Sequence, residues 1–228
     1  GDAETASYAS PEAVARVVEE NLSDLATAMN EHLSPAESGE LVRWQREFLW
    51  SHRALFEARV AAGRSREGHG DLRLEHVYLD DAGAVTVIDC VEFSPRYRCA
   101  DVCSDVAFLA MDLSLHGRVD LAERFLARYA RESDDHDLFA LVDFYSAYRA
   151  CVRAKIAAMV EHSPDASEAV ITRARHECRR YLLLALAADR RSLLSPCVVA
   201  VGGVIASGKS TVSDWLCGEL GAATVDAD

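Results

Sequence analysis

The stretch HGDLRLEHVYLDDAGAVTVID occupies residues 69–89 and carries the only clear hairpin pattern of the chain. Val77-Tyr78-Leu79 is apolar, Asp80-Asp81-Ala82-Gly83 is turn chemistry, and Val85-Thr86-Val87-Ile88 is β-branched, so the pattern predicts two short antiparallel strands. With the turn centred between Ala82 and Gly83, Val77 faces Ile88 and His76 faces Asp89 at the open end. Asp71 lies in the loop entering the first strand, five residues before His76. Three polar side chains are therefore expected in one small volume.

Such a cluster suits phosphoryl transfer. One carboxylate can orient an acceptor hydroxyl and take its proton, and a second can hold a divalent ion that bridges nucleotide phosphates. Arg73 could neutralise charge on the moving phosphoryl group. The segment resembles the catalytic core of aminoglycoside phosphotransferase-like kinases, which share the protein-kinase fold. His69-Gly70-Asp71 and Ile88-Asp89 match that family's pattern, and Asp101, Asp105 and Ala107 fit its downstream Asp-x-x-x-Asp-x-Ala. The resemblance implies Asp71 as catalytic base and Asp89 as metal ligand. It also implies that Asp101 or Asp105 accepts backbone N–H bonds from the catalytic loop. His76 departs from the pattern, which has Asn there. Imidazole nitrogen is a poor Mg²⁺ ligand and suits softer ions. Either one metal site is weakened, or His76 contacts phosphate, or Glu75 supplies an oxygen.

A second motif lies near the other end. Gly203-Val204-Ile205-Ala206-Ser207-Gly208-Lys209-Ser210 fits the Walker A pattern G-x-x-x-x-G-K-[ST], between an expected strand at Val198–Val201 and an expected helix at Thr211–Leu220. Gly203, Ser207, Gly208 and Thr211 would help cradle nucleotide phosphates with backbone N–H groups. Lys209 would reach the β- and γ-phosphates, and the Ser210 hydroxyl would meet Mg²⁺. A kinase-like lobe followed by a P-loop resembles bacterial bifunctional aminoglycoside phosphotransferase/ATP-binding proteins. That likeness extends to Arg66-Glu67-Gly68, to the run Ala107–Leu113, and to Ala147-Tyr148-Arg149-Ala150. Against that family, the chain lacks the small N-terminal lobe and most of the ATP-binding domain.

The remaining helices announce themselves by their caps. Ser10-Pro11 opens one expected to reach about Leu33, and Ser34-Pro35-Ala36-Glu37 is a capping box opening a long one. Further helices are expected at 101–115, 119–131, 137–161 and 164–190. Arg149 is expected to pair with acids such as Asp112 or Asp143. Residues 133–137 read as a solvated turn and helix cap, and His32, His52, His116, His162 and His176 show no ligand spacing.

The chain has 228 residues, half of them hydrophobic, and a formal net charge of −13. That charge disfavours nucleic acid and anionic membrane surfaces as partners. Seven cysteines without a CxxC pair read as buried, reduced thiols, and no run reaches membrane-spanning length, so a cytoplasmic protein is expected. The fold class expected is mainly α with a small β-hairpin, a protein-kinase-like C-terminal lobe, over residues 1–190. A linker at 191–196 and the first strand–P-loop–helix of an α/β P-loop NTPase domain at 197–228 complete it. The chain reads as a fragment cut at both ends, with little turnover alone. The parent reads as an ATP- and Mg²⁺-dependent phosphotransferase acting on a small-molecule hydroxyl. Two alternatives are a pseudokinase-like binding module with ATP used only by the P-loop, and a P-loop kinase using the helical lobe for docking.

Overall fold

The computed structural model describes residues 3–188, 198–220, 222 and 224–225. The linker expected at 191–196 lies outside them, as do Asp226 and Asp228. The chain runs through α1 (Ala3–Tyr8), α2 (Pro11–His32), α3 (Pro35–Ser51), α4 (Arg53–Ala61) and strand β1 (Ser65–Glu67). A 3₁₀ turn at Leu74–His76 leads into the hairpin β2 (Val77–Leu79) and β3 (Val85–Val87). Then follow α5 (Pro95–Arg98), β4 (Cys99–Asp101), α6 (Val102–Leu115), α7 (Val119–Ser133), a 3₁₀ turn at His136–Ala140, α8 (Val142–Glu161), α9 (Glu168–Ala187) and α10 (Lys209–Leu220).

The caps act as the residue types dictate. Ser10 Oγ accepts the Ala13 N–H at 3.3 Å, with Pro11 at the first helical position. Ser34 and Glu37 form the reciprocal box: Ser34 Oγ accepts the Glu37 N–H at 3.3 Å, and the Glu37 carboxylate accepts the Ser34 N–H at 2.8 Å. The helix after Pro35 breaks at His52 into α3 and α4, where one long helix was expected. The last long helix opens at Glu168, capped by Ser167, and not at Pro164. The stretch 137–161 splits into a 3₁₀ turn and α8.

The core sits around α6 and α8, which contribute to two adjoining clusters. One gathers Val18 and Leu22 of α2, Phe56 of α4, Leu126 of α7, and Phe144 of α8. The other joins the far half of α2, through Leu25 and Met29, to Leu182 and Ala185 of α9. Ala147, Ala150, Ala154 and Ala157 give α8 a small-residue face, so its neighbours can approach closely. Burial pushes the Cys151 thiol up to about 12, as expected of an inert core cysteine. The expectation of uniformly buried thiols fails at Cys90, which is exposed, and Cys217 is half-buried; Cys197 lies outside the described residues.

Two short antiparallel pairs interrupt the helices, β1 with β4 and β2 with β3. The first had no legible signal. The second shows a register one residue from the expected one: Val77 pairs with Val87 and Leu79 with Val85. The cause is the turn. The Asp80 carboxylate accepts the N–H groups of Ala82 (2.9 Å) and Ala84 (2.8 Å), and Gly83 takes φ +81°. A three-residue loop with a left-handed glycine results, instead of a symmetric two-residue turn. His76 therefore sits opposite Ile88, whose N–H donates to the His76 carbonyl at 3.0 Å.

A buried guanidinium ties these parts together. Arg59 of α4 donates to Asp101 at 2.6 and 2.8 Å and to Asp135 at 2.7 and 2.9 Å. Asp101 also caps α6, accepting the Cys103 N–H at 2.8 Å. The turn at 133–137 is thus not wholly solvated: Asp135 is buried on Arg59, while Asp134 ends α7 in the left-handed region at φ 48°. Removing one partner of such a cluster leaves buried charge uncompensated. Arg59→Met is expected to lower the unfolding free energy by about 3–5 kcal/mol in urea titration.

Candidate functional site

The loop from His69 to His76 hangs from one face of α6. Asp105 and Asp112 are seven residues apart, two turns of helix, so their carboxylates line one side. Asp105 accepts the N–H of His69 at 2.6 Å and of Gly70 at 3.0 Å. Asp112 accepts the N–H of Leu74 at 2.9 Å, at the start of the 3₁₀ turn. Of the two aspartates considered for holding the loop, Asp105 does so and Asp101 serves Arg59. Arg149 of α8, buried, donates to the Gly70 carbonyl at 3.0 Å and lies 3.5 Å from Asp105. It braces the same loop and pairs with neither Asp112 nor Asp143. Gly70 has φ +81°, and a Cβ there would meet the Tyr97 carbonyl at 2.8 Å, so only glycine fits this crossing.

The pinned loop places His76 beside Asp89, with Asp71, Arg73 and Glu75 paired to one another and to the His76 ring. The His76 Nδ1 lies 2.8 Å from the Asp71 backbone carbonyl. A carbonyl only accepts, so Nδ1 carries the hydrogen and Nε2 presents its lone pair when the ring is neutral. Nε2 lies 3.3 Å from Asp89 Oδ2 and 3.5 Å from Glu75 Oε1, while Nδ1 is 3.8 Å from Asp71 Oδ2. One buried ring thus stands between the two carboxylates, one on each nitrogen. Asp89 reaches it despite the register change because its backbone is left-handed, φ 63°. That conformation is uncommon outside glycine and is tolerated by aspartate.

His69 supplies a complementary bridge that sequence reading did not assign. Its Nε2–H donates to the Ile88 carbonyl at 2.8 Å, and its Nδ1 accepts the Asp71 N–H at 3.3 Å. The residue before Asp89 and the backbone of Asp71 are therefore held by one imidazole.

Arg73 is buried and turned toward Asp71, donating to both carboxylate oxygens at 3.0 and 3.1 Å, and it also pairs with Glu75. Burial opposes its charge, but the hydrogen bonds and charge of Asp71 and then Glu75 outweigh burial and raise its pKa. Asp71 remains partly accessible and Asp89 is 75% exposed. Three carboxylates against one guanidinium leave two negative charges uncompensated, but no three ligand atoms of Asp71, Glu75, His76 and Asp89 lie within 4.8 Å of one another. Asp89 and Glu75 offer hard oxygen, and His76 Nε2 offers a softer nitrogen.

In the P-loop segment α10 begins at Lys209, two residues before the expected start. Residues 198–201 form no strand, and Val198 is almost fully exposed, because no other strand among the described residues lies beside them to complete a ladder. The Lys209 ammonium donates to the Val204 carbonyl at 3.0 Å, and the Ser207 N–H to the same carbonyl at 3.2 Å. Ala206 and Gly208 are left-handed at φ 62° and 83°. Ser210 and Thr211 lie in the first turn of α10 and are exposed. Among the described residues no helix is long and apolar enough to cross a membrane.

Asp105→Ala would leave the His69 and Gly70 N–H groups without their partner. We expect faster hydrogen exchange at those two amides and a stability loss of about 1–3 kcal/mol, with α9 unaffected.

Comparison with known proteins gives the chain's family. Uncharacterized proteins of two Mycobacterium tuberculosis strains and of Mycobacterium bovis are each 36% identical over 220 residues, covering 95% of this chain and 42% of the relative. The chain thus spans about two fifths of the length of the curated relatives it matches. No solved structure matches it. The family model described as "Phosphotransferase enzyme family" matches residues 7–148, a span that contains the helix-hung loop, the hairpin and both carboxylates of α6. The chain belongs to this phosphotransferase family of kinase-like enzymes.

Proposed function

We propose that the whole protein transfers the γ-phosphoryl group of ATP to a small-molecule hydroxyl at the Asp71–His76–Asp89 cluster. The supporting observation is the single buried ring of His76, which faces Asp71 on one nitrogen and Asp89 on the other. Asp71 orients the acceptor hydroxyl and takes its proton as the new P–O bond forms and the bond to the ADP oxygen breaks. Arg73 holds the Asp71 carboxylate in place and offsets charge building up beside it. Asp89, with Glu75 and the Nε2 lone pair of His76, would hold the divalent ion, Mg²⁺ or a softer relative. When bound, that ion neutralises nucleotide phosphate charge.

The apolar side chains Tyr78, Leu79, Val85 and Ile88 of the hairpin are exposed, a surface suited to cover by a nucleotide base and a further lobe in the whole protein. We assign residues 1–190 to the kinase-like lobe, 191–196 to a linker and 197–228 to a separate P-loop unit. There Gly203, Ser207, Gly208, Lys209, Ser210 and Thr211 would hold a second nucleotide. The chain alone is expected to turn over little, and a cytoplasmic setting fits the proposed use of ATP.

One observation favours a second reading, a binding module without transfer: Arg73 occupies both oxygens of Asp71. Full-length protein incubated with γ-labelled ATP and a library of small alcohols and aminoglycosides distinguishes the two. Asp71→Asn is expected to lower transfer by about 10²–10⁴-fold while nucleotide binding persists. Transfer unchanged in Asp71→Asn but abolished in Lys209→Ala would move the chemistry to the P-loop. Absence of transfer in the wild type, with nucleotide bound, would support the binding module.

His76 yields a further expectation. Because imidazole nitrogen favours softer ions, the wild type should bind Mn²⁺ well ahead of Mg²⁺ in calorimetric titration. His76→Asn, which restores an amide oxygen, should narrow that gap about tenfold or more. An unchanged ratio would remove His76 from the ion's surroundings.

A further inference from the structure

Glu31-His32 closes α2 and Glu161-His162 spans the end of α8, and the two dipeptides exchange partners. His32 Nε2 lies 2.9 Å from Glu161 Oε2, and His162 Nε2 lies 3.3 Å from Glu31 Oε1. The outer pair is exposed and the inner pair buried. Cys178 of α9, fully buried, adjoins the inner pair. Imidazole nitrogen, carboxylate oxygen and thiol sulfur all lie within 4.8 Å of one another. Among the described residues, no other set of three His, Cys, Asp or Glu ligand atoms lies this close together.

We propose that His32, Glu161 and Cys178 form a binding site for a borderline-soft divalent ion, for which Zn²⁺ is the natural probe. Nitrogen, oxygen and sulfur in one set match the ligand types of zinc, and sulfur disfavours Mg²⁺ and Ca²⁺. Ligand–metal bonds of about 2.0–2.3 Å place neighbouring ligand atoms about 3.3–3.6 Å apart. The present separations, 2.9 Å for His32–Glu161 and at most 4.8 Å for the others, need shifts of about 1 Å or less for most of that range.

The surroundings are arranged for this. Arg175 Nε donates to Glu161 Oε1 at 2.7 Å and leaves Oε2 turned to His32. Arg179 donates to the His32 backbone carbonyl at 2.6 Å and so fixes the end of α2. Such outer contacts orient metal ligands. Both arginines oppose a cation, but the Arg175 side chain is 63% exposed, so its charge is screened by solvent. On binding, the Cys178 S–H bond would be replaced by a sulfur–metal bond and its proton released to solvent. The ion would join the ends of α2 and α8 to α9.

Titrating Co²⁺ into the metal-stripped full chain tests this directly. We expect one thiolate-ligated ion per chain, read from a thiolate-to-cobalt charge-transfer band, displacement by Zn²⁺, and a Zn²⁺-dependent rise in unfolding temperature reversed by chelator. Cys178→Ser should abolish the band, and Arg175→Gln should weaken binding about 10–100-fold. Cys90→Ser should leave both readouts unchanged. If Cys178→Ser fails to fold, His32→Gln replaces it, with the same loss expected. A wild type that shows no band and no Zn²⁺-dependent stabilisation would overturn the proposal, as would a band that survives in Cys178→Ser or follows Cys90.

Discussion

The structure depends on the hydrogen bonding of two carboxylates on one face of α6. Asp105 takes the N–H groups at the head of the loop, and Asp112 takes one at its 3₁₀ turn. Without them, an irregular segment of eight residues would have no reason to hold one shape, since loops fold on their own only at high entropic cost. The helix is itself anchored: Asp101 caps it while gripping the buried Arg59. A core ion cluster, a helix and the loop are thereby joined in series by hydrogen bonds.

The two imidazoles give the site its connectivity. His69 carries its hydrogen on Nε2 and His76 on Nδ1, each fixed by a backbone carbonyl that can only accept. They are 5.8 Å apart, ring centroid to ring centroid, and join the loop to the hairpin end at two points. An asparagine at position 76 would present an amide hydrogen and an oxygen in one side chain; the imidazole presents a hydrogen and a nitrogen lone pair. The departure from the family pattern therefore preserves the division into donor and acceptor, and changes the hardness of the acceptor.

Much of this was legible in the residues. Caps at Ser10 and Ser34, the β-branched run at Val85–Ile88 and the spacing of Asp101 and Asp105 were local signals, and they led to two capped helix starts, a short strand at Val85–Val87 and the loop-holding role of Asp105. What was not legible was long-range or depended on a single dihedral. The pairing of β1 with β4 joins residues 65–67 to 99–101 and leaves no periodic trace in strands three residues long. The hairpin register turned on whether Gly83 closes a two- or three-residue loop, and Asp89 recovers its place only through a left-handed backbone. Arg149 read as a partner for Asp112 or Asp143 because sequence does not show that it is buried under Gly70. Asp135 read as solvated because Arg59 is far away in the chain. His32, Glu161 and Cys178 are separated by more than a hundred residues in part, so no ligand spacing could reveal them.

The electrostatics follow the same division of labour. Arginines inside the fold, at 59, 73 and 149, serve carboxylates or carbonyls and are spent on architecture, leaving excess negative charge at the hairpin end. The central claim is that Asp71, His76 and Asp89 surround one ion and nucleotide site. Paramagnetic NMR on the full-length protein, with Mn²⁺ added together with a non-hydrolysable ATP analogue, tests it most directly. The account predicts strong, joint broadening of the His76 ring and of the Asp71 and Asp89 amides at substoichiometric Mn²⁺. Broadening confined to the P-loop amides, or reaching Asp89 while sparing His76 and Asp71, would contradict it.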